Sequence, residues 1–238
     1  MYSLNTRIRY SECDSHAKLT LESLLNYFQD CTSFHSEDKG VGIQYLRDNH
    51  QVWVLSAWQI IINRYPAFGE NVKVATFPYE FRGCFGSRNF IMETENGEQV
   101  AIANSLWTLL DSDSMLPAKP DETMKIAYEL NEKLDMDYAP RKIAVSENGE
   151  RREPIQVKKH HLDTNNHVNN GQYVRMALDS IPEEKIPKGF KVQQLRAEYK
   201  QAAYLGDDIV PVISIDGNRF TVALQDTNGK SYAIVELQ

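Results

Sequence analysis

The sequence predicts an α+β protein built from two similar halves, in each of which a curved antiparallel sheet wraps around one long helix. Two observations support this fold class: each half contains one apolar stripe with helical spacing, and segments rich in strand-forming residues follow each stripe. A third observation is an internal repeat, because three landmarks recur in the same order in both halves. A sheet with one apolar face has to be covered, and a long amphipathic helix can cover it.

The two predicted helices are defined by apolar residues at helical spacing, each followed by a residue that ends a helix. The first stripe consists of Leu21, Leu24, Leu25 and Phe28, with Gly40 as the stop. The second consists of Val174, Ala177, Leu178 and Ile181, with Pro182 as the stop.

Strands are predicted around two hairpin signals and one apolar run. The stretch 52–62 is rich in Val, Ile and Trp, which favour strands. Asn96-Gly97 and Asn228-Gly229 are typical of type I′ hairpin turns, in which both central residues have positive φ. We expect each pair to join two antiparallel strands.

The internal repeat is clearest in two polar motifs. Glu12, Asp14 and His16 stand at alternate positions in the first half, and Asp163, Asn165 and His167 stand at alternate positions 151 residues later. Two further pairs of segments correspond: 64–76 with 201–214, and 88–103 with 219–235. We therefore predict an N-terminal domain at 1–120 and a C-terminal domain at 151–238. The charged stretch 121–150, which follows Pro117 and Pro120, is predicted to be a linker with one short helix.

Composition excludes several classes of protein. The 238 residues carry 26 basic and 33 acidic side chains, and the resulting net charge of -7 argues against nucleic acid as the main partner. No apolar run approaches the roughly 20 residues of a membrane helix, and the first residues lack a signal-peptide core. The three cysteines, Cys13, Cys31 and Cys84, form neither a disulfide framework nor a zinc motif, so a cytoplasmic protein is expected.

The segment 163–170 is the densest polar cluster in the chain. Asp163, Asn165 and His167 would share one side of an extended segment, and Asn169 and Asn170 would begin the second helix, where N–H groups favour negative charge. A carboxylate, an amide, an imidazole and an anion site can together hydrolyse an acyl compound. A helix cap with a buried, hydrogen-bonded histidine explains the same residues equally well. A metal site is not expected, because the adjacent His160 and His161 would point to opposite faces and no fourth ligand has a familiar spacing.

Family resemblance favours the catalytic interpretation. HLDTNNHVNNGQY (161–173) resembles the D-x-N-x-H-V-N-N-x-x-Y motif of the acyl-acyl-carrier-protein thioesterases of plants and bacteria. RYPAFGENVKVAT (64–76) and ANSLWTLLDSDSMLPAKP (103–120) are similar to two further motifs of that family. The resemblance implies a tandem hotdog fold, with two antiparallel sheets each wrapped around a long helix. It also implies hydrolysis of the thioester that joins a fatty acyl chain to the phosphopantetheine of acyl carrier protein, in fatty acid biosynthesis and without a cofactor.

The resemblance places catalysis on Asp163, Asn165 and His167, and acyl-chain binding in the first half, where Glu12, Asp14 and His16 are expected to be structural. One departure stands out: Ala202 and Ala203 occupy the positions where the family has an acid and, in some members, a cysteine. A cysteine nucleophile at that position is therefore excluded. Because free imidazole titrates near pH 6.5, we expect His167 and Asp163 to activate water. In that scheme Asn165 and N–H groups near Asn169 and Asn170 hold the oxyanion, and attack by Asp163 itself is the variant.

Three further expectations concern substrate and partners. The alternatives to an acyl-carrier-protein substrate are an acyl-coenzyme A substrate and a hotdog protein that binds acyl thioesters without cleaving them. Because acyl carrier proteins are acidic, docking requires local basic groups, for which Arg141-Lys142, Arg151-Arg152 and Lys158-Lys159 are candidates unless they are simply scattered surface charges. Neither nucleic acid nor a membrane span is expected, and association into a homodimer is left open.

Overall fold

The computed structural model describes residues 1–238, with four α-helices and eleven β-strands. The chain divides into two compact units, Met1–Tyr138 (the first unit) and Ala139–Gln238 (the second unit). The first unit contains β1 (Tyr2–Arg7), α1 (Leu21–Asp38), α2 (Ile43–Asp48), β2 (Gln51–Ile62), β3 (Asn71–Arg82), β4 (Phe85–Thr94), β5 (Gln99–Asp111) and α3 (Glu122–Tyr128). The second unit contains β6 (Glu150–Arg151), β7 (Ile155–Gln156), α4 (Asn170–Ser180), β8 (Gln194–Tyr199), β9 (Asp208–Asp216), β10 (Arg219–Gln225) and β11 (Ser231–Leu237).

Every strand pair within the two units is antiparallel, as the sequence predicts. In the first unit the strand order is β1-β3-β4-β5-β2. In the second unit the order is β8-β11-β10-β9-β6, and β7 also pairs with β9. The strand predicted at 52–62 is confirmed as β2.

Helix α1 covers the sheet of the first unit with its predicted apolar face. The Thr20 side chain caps its first turn by accepting a hydrogen bond from the Ser23 N–H. Phe28 is fully buried, and its ring lies 5.1 Å from the Phe90 ring and 6.2 Å from the Trp58 ring, centroid to centroid. These aromatic contacts join the helix to β2 and β4 and form the centre of the core.

Helix α4 is the counterpart of α1 in the second unit. It has 11 residues against the 18 of α1. Its Tyr173 ring packs edge-on against Tyr199 of β8 at 5.9 Å, which fixes the helix on the sheet. The helix stops at Ser180, two residues before Pro182, because proline cannot continue an α-helix.

Both predicted hairpins are present, but their turn type differs from the prediction. Gly97 and Gly229 have φ values of +79° and +87°, whereas neither Asn96 nor Asn228 has positive φ. The Gly97 N–H donates to the Thr94 carbonyl, so the turn begins one residue earlier than it would with Asn96-Gly97 as its central pair. Only glycine takes the left-handed position, so these loops are longer than a type I′ turn.

The stretch 121–150, predicted to be a linker, contributes buried side chains to a hydrophobic cluster of the first unit. Met124 and Tyr128, one helical turn apart on α3, are buried with Val41 and Leu109. The burial of these two side chains shows that the charged composition of the stretch conceals one apolar helix face. No helix in the structure is both long enough and apolar enough to cross a bilayer.

Candidate active site

The polar motif ahead of α4 forms a tight turn. The Asp163 N–H donates to the His167 carbonyl at 2.9 Å, and the Asn166 N–H donates to the Asp163 carbonyl at 3.1 Å. Asp163 Oδ1 also accepts the Asn165 N–H at 2.8 Å, and Asn166 takes a φ of +62°. The predicted extended conformation is therefore wrong, because the short aspartate side chain captures a backbone N–H and bends the chain.

The turn brings Asp163 and His167 together. His167 Nδ1 lies 3.7 Å from Asp163 Oδ1, which is within ion-pair range but too long for a hydrogen bond. The His167 side chain is 37% exposed and that of Asp163 is 20% exposed, so water reaches the imidazole. Asn165 is exposed at the tip of the turn. The arrangement suits transfer of a proton between water and a histidine that a carboxylate orients.

The other neighbour of His167 is the segment 202–204. His167 and Tyr204 form an isolated antiparallel bridge, and their rings meet edge-on at 5.9 Å. The Val168 N–H donates to the Ala203 carbonyl at 3.0 Å, and Ala203 is buried. Ala203 thus bonds to the residue that follows the histidine. Methyl groups neither transfer protons nor attack a carbonyl, so any chemistry here rests on the turn itself.

The start of α4 lies where the motif predicts it. Asn169 is the N-cap, and its Oδ1 accepts the Gly171 N–H at 2.8 Å, while Asn170 is the first helical residue. The Asn169 N–H donates to the His161 carbonyl, and the Gln172 N–H donates to the Asn169 carbonyl, each at 2.9 Å. Three N–H groups near the helix start therefore already have acceptors within the protein.

Basic side chains lie near His161, which stands two residues before the turn. His161 Nδ1 accepts the Lys158 N–H at 3.0 Å, and the ring of His160 lies 4.1 Å from that of His161. Burial lowers the pKa of His161, and the nearby charges of His160, Lys158 and Arg175 lower it further. Lys158, Lys159, His160 and Arg175 are exposed, and we call this group the basic cluster.

The repeat is real, but its register differs from the prediction. In the first unit the Asp14 N–H donates to the Lys18 carbonyl, the Ala17 N–H donates to the Asp14 carbonyl, and Asp14 Oδ1 accepts the His16 N–H. Ala17 has a φ of +55°, matching the left-handed Asn166. The same turn therefore recurs 149 residues later, not 151, so that Lys18 corresponds to His167 and His16 to Asn165. Matching histidine to histidine misplaced the repeat by two residues.

The first-unit motif is held by structural contacts. Glu12 accepts hydrogen bonds from the Arg9 N–H at 2.8 Å and from the Tyr27 hydroxyl at 2.6 Å. Burial and the bond to Glu12 raise the pKa of Tyr27 to about 12. With Lys18 at the histidine position, this turn lacks the carboxylate–imidazole pair of the second unit.

Sequence reasoning missed two tyrosines that contact the segment beside His167, Tyr173 and Tyr204. Tyr173 belongs to the quoted motif, yet its hydroxyl contact with Ala203 is long-range and no spacing indicates it. Tyr204 follows the two alanines and looks like an ordinary surface residue in the sequence. No group of three or more His, Cys, Asp and Glu side chains is arranged to hold a metal ion.

The chain thus belongs to the class of α+β proteins with two repeated sheet-and-helix units and an Asp–His turn ahead of the second helix. More particularly, it belongs to the acyl-ACP thioesterase family. Residues 1–127 match the model of the acyl-ACP thioesterase N-terminal domain, and residues 144–236 match that of the C-terminal domain.

Curated relatives are similar to this chain in sequence, and solved structures share its fold. An acyl-[acyl-carrier-protein] hydrolase of Cuphea viscosissima is 25% identical over 88% of this chain, and an oleoyl-acyl carrier protein thioesterase of Arabidopsis thaliana is 25% identical over 94%. Both are chloroplastic, and the chain spans 53% and 65% of their respective lengths. The crystal structure of an acyl-ACP thioesterase from Bacteroides thetaiotaomicron superposes with a TM-score of 0.90 at 24% identity, covering 99% of this chain and 96% of that one. A 12:0-ACP thioesterase from Umbellularia californica gives a TM-score of 0.87 at 17% identity, covering 100% and 96%.

Proposed function

We propose that this protein hydrolyses the thioester of fatty acyl-acyl carrier protein and releases the free fatty acid. The observation that carries the proposal is the pair formed by His167 and Asp163, 3.7 Å apart and open to water at the start of α4. Membership of the acyl-ACP thioesterase family supports it, as do the hydrolase names of the relatives. A cap alone does not require this pair, because Asn169 already caps the helix.

In the proposed mechanism His167 acts as the general base. It takes a proton from water, and the oxygen of that water attacks the thioester carbonyl carbon. Asp163 orients the imidazole and stabilises its charged form. The tetrahedral oxyanion is held by the exposed Asn165 carboxamide. The positive end of the α4 dipole at Asn169 and Asn170 adds electrostatic stabilisation only, because the N–H groups of Asn169, Gly171 and Gln172 already have acceptors. The carbon–sulfur bond then breaks, and His167 returns the proton to the departing thiolate.

Attack by Asp163 itself is the alternative within the same site. It would form an anhydride, which water then hydrolyses. Asp163 Oδ1 is already engaged by the Asn165 N–H, which favours water as the nucleophile. A single turnover in ¹⁸O-water separates the two routes, because only the anhydride route can leave label in the protein.

The wider organisation forms part of the proposal. We propose that the chain is a tandem hotdog protein, in which residues 1–120 hold the acyl chain, 121–150 connect, and 151–238 carry the catalytic motif. The single main helix on an antiparallel sheet in each unit supports this. The three free cysteines support a reducing compartment, for which we propose the cytoplasm. Self-association stays a prediction that sedimentation of the purified protein can test.

The basic cluster is the proposed docking surface for the acidic carrier protein. Lys158 and Lys159 lie a few residues before the catalytic turn, and Arg175 lies on α4. Of the other pairs, Arg152 already bonds to Glu150 at 2.7 Å, and Lys185 contacts the same carboxylate. Lys158 and Lys159 are therefore exposed cations close in sequence to the catalytic turn, whereas Arg175 also pairs with Asp179 at 3.6 Å.

Thiol release from a panel of acyl-carrier-protein and acyl-coenzyme A substrates tests the function. His167→Ala should lower kcat by about 10²- to 10⁴-fold on the preferred substrate, because a general base contributes that much. His16→Ala is the matched control, since His16 is an exposed histidine in the equivalent turn of the first unit. Full turnover by His167→Ala would exclude the mechanism. Binding of acyl carrier protein without thiol release by the wild type would instead identify a non-catalytic binder.

A further inference from the structure

The equivalent turns of the two units differ at one buried hydrogen bond. In the second unit the Ala203 N–H donates to the Tyr173 hydroxyl at 2.9 Å. The first unit has Pro66 in the place of Ala203, because the Leu19 N–H donates to the Pro66 carbonyl just as the Val168 N–H donates to that of Ala203. Proline has no N–H, and Leu24 stands where the second unit has Tyr173. Only the unit with the catalytic histidine has this donor and this acceptor.

Tyr173 is well placed to hold that bond rigidly. Its side chain is buried, with the residue only 2% exposed, and its ring packs against Tyr199. Burial raises the pKa of its hydroxyl, the Ala203 hydrogen bond lowers it, and nearby acidic groups that include Asp207 and Asp163 raise it again. The hydroxyl therefore stays protonated and neutral, so it is a fixed hydrogen-bonding group rather than a base.

The hydrogen bond between Ala203 and Tyr173 is linked to His167 in two ways. The Ala203 carbonyl accepts the N–H of Val168, the residue after His167. The residue after Ala203 is Tyr204, whose backbone bridges to His167 and whose ring meets the imidazole edge-on. A shift of Ala203 would therefore displace the backbone on one side of His167 and the ring on the other.

We propose that Tyr173 is a positioning residue for thioester hydrolysis, which holds Ala203 and thereby fixes the orientation of His167. This inference rests on the proposed function and assigns Tyr173 no contact with the substrate. Because Ala202 and Ala203 offer no acid or thiol, their segment contacts the histidine through backbone groups and Tyr204. Removing the hydroxyl leaves the buried Ala203 N–H without a partner, and the segment relaxes. Displacements of about 1 Å near reacting groups can cost up to about 10²-fold in rate.

Tyr173→Phe in the full chain tests the proposal. The variant keeps the ring and removes the hydroxyl, so kcat on acyl carrier protein substrate should fall by about 10- to 100-fold while KM changes less than about twofold. The pH–rate profile should shift as well, because the imidazole is reoriented. Tyr27→Phe is the matched control: it removes the hydroxyl of a buried tyrosine that serves the first-unit turn, and kcat should not change.

A double variant separates positioning from general loss of stability. In the His167→Ala background, Tyr173→Phe should lower kcat no further, because a residue that acts through His167 has nothing left to position. Independent, multiplicative effects of the two changes would overturn the proposal, as would unchanged kcat in Tyr173→Phe alone. If His167→Ala itself keeps full activity, the proposed mechanism fails and the role of Tyr173 fails with it, whereas a wild type that releases no thiol refutes the proposed function. If His167→Ala loses activity but Tyr173→Phe keeps an unchanged kcat, as Tyr27→Phe should, then the positioning role of Tyr173 alone fails.

Discussion

Acidification should destabilise the protein through His35, a buried histidine of α1. The residue is 2% exposed, and its Nδ1 lies 2.8 Å from Nη1 of the buried Arg88. A guanidinium can only donate, so His35 Nδ1 accepts the bond and cannot carry a proton. Burial above all, and then the charge of Arg88, lower the pKa of His35 to about 3.

The sign and size of the effect follow from proton linkage. An unfolded histidine titrates near pH 6.5, whereas His35 in the folded state titrates near 3. Between these values the unfolded state binds a proton that the folded state does not, so stability falls as the pH falls. The contribution of His35 is complete above about pH 6.5, and it decreases by about 1.4 kcal/mol per pH unit below that. At about pH 4.5 the loss amounts to roughly 3 kcal/mol.

Urea unfolding at about pH 7.5 and about pH 4.5, with wild type and His35→Gln, measures this contribution. Glutamine keeps an oxygen that can accept from Arg88 and does not titrate. The carboxylates are the same in both proteins, so the variant should lose roughly 3 kcal/mol less on acidification than the wild type. His16→Gln, a change at an exposed histidine, should behave like the wild type. Equal acid sensitivity of wild type and His35→Gln would refute the reasoning.

Three further predictions concern docking, the helix cap and the core. Charge reversal of Lys158 and Lys159 should raise KM for acyl-carrier-protein substrate roughly 10-fold and leave acyl-coenzyme A hydrolysis unchanged, and an unaltered KM would count against the basic cluster. Asn169→Ala removes the acceptor for the Gly171 N–H, so the free energy of unfolding should fall by about 1 kcal/mol in urea titration, whereas Asn169→Asp should restore it. Phe28→Ala empties the centre of the first-unit core and should cost about 3–5 kcal/mol by the same titration, and a loss below about 1 kcal/mol would contradict the packing described.

The sequence was sufficient for features that depend on periodicity. Apolar side chains at helical spacing have to share one face, so the stripes around Phe28 and Val174 located α1 and α4. Glycine at a left-handed position located the two hairpins even though the turn type was wrong. The start of α4 was predictable in the same way, because a run of amides before an apolar stripe is typical of a helix start.

Features that depend on competition between local interactions were not predictable in this way. Alternation of Asp163, Asn165 and His167 suggested an extended segment, but the aspartate oxygen captured a backbone N–H and formed a turn. Aligning the two histidines gives the wrong repeat register, because the two aspartates, and not the histidines, occupy equivalent positions in the turns. The bonds from Arg88 to His35 and from Ala203 to Tyr173 join residues far apart in sequence, and no short spacing encodes them.

The turn that recurs in both units is held by one aspartate oxygen, so the residues at its tip can be replaced. Asp14 and Asp163 impose the same bend, while the outward positions hold histidine and lysine in one copy and asparagine and histidine in the other. Within these five residues, the side chains at the tip can therefore change while the backbone turn stays the same. Asparagine and histidine can accordingly be introduced at residues 16 and 18 of the first copy without a change of backbone conformation.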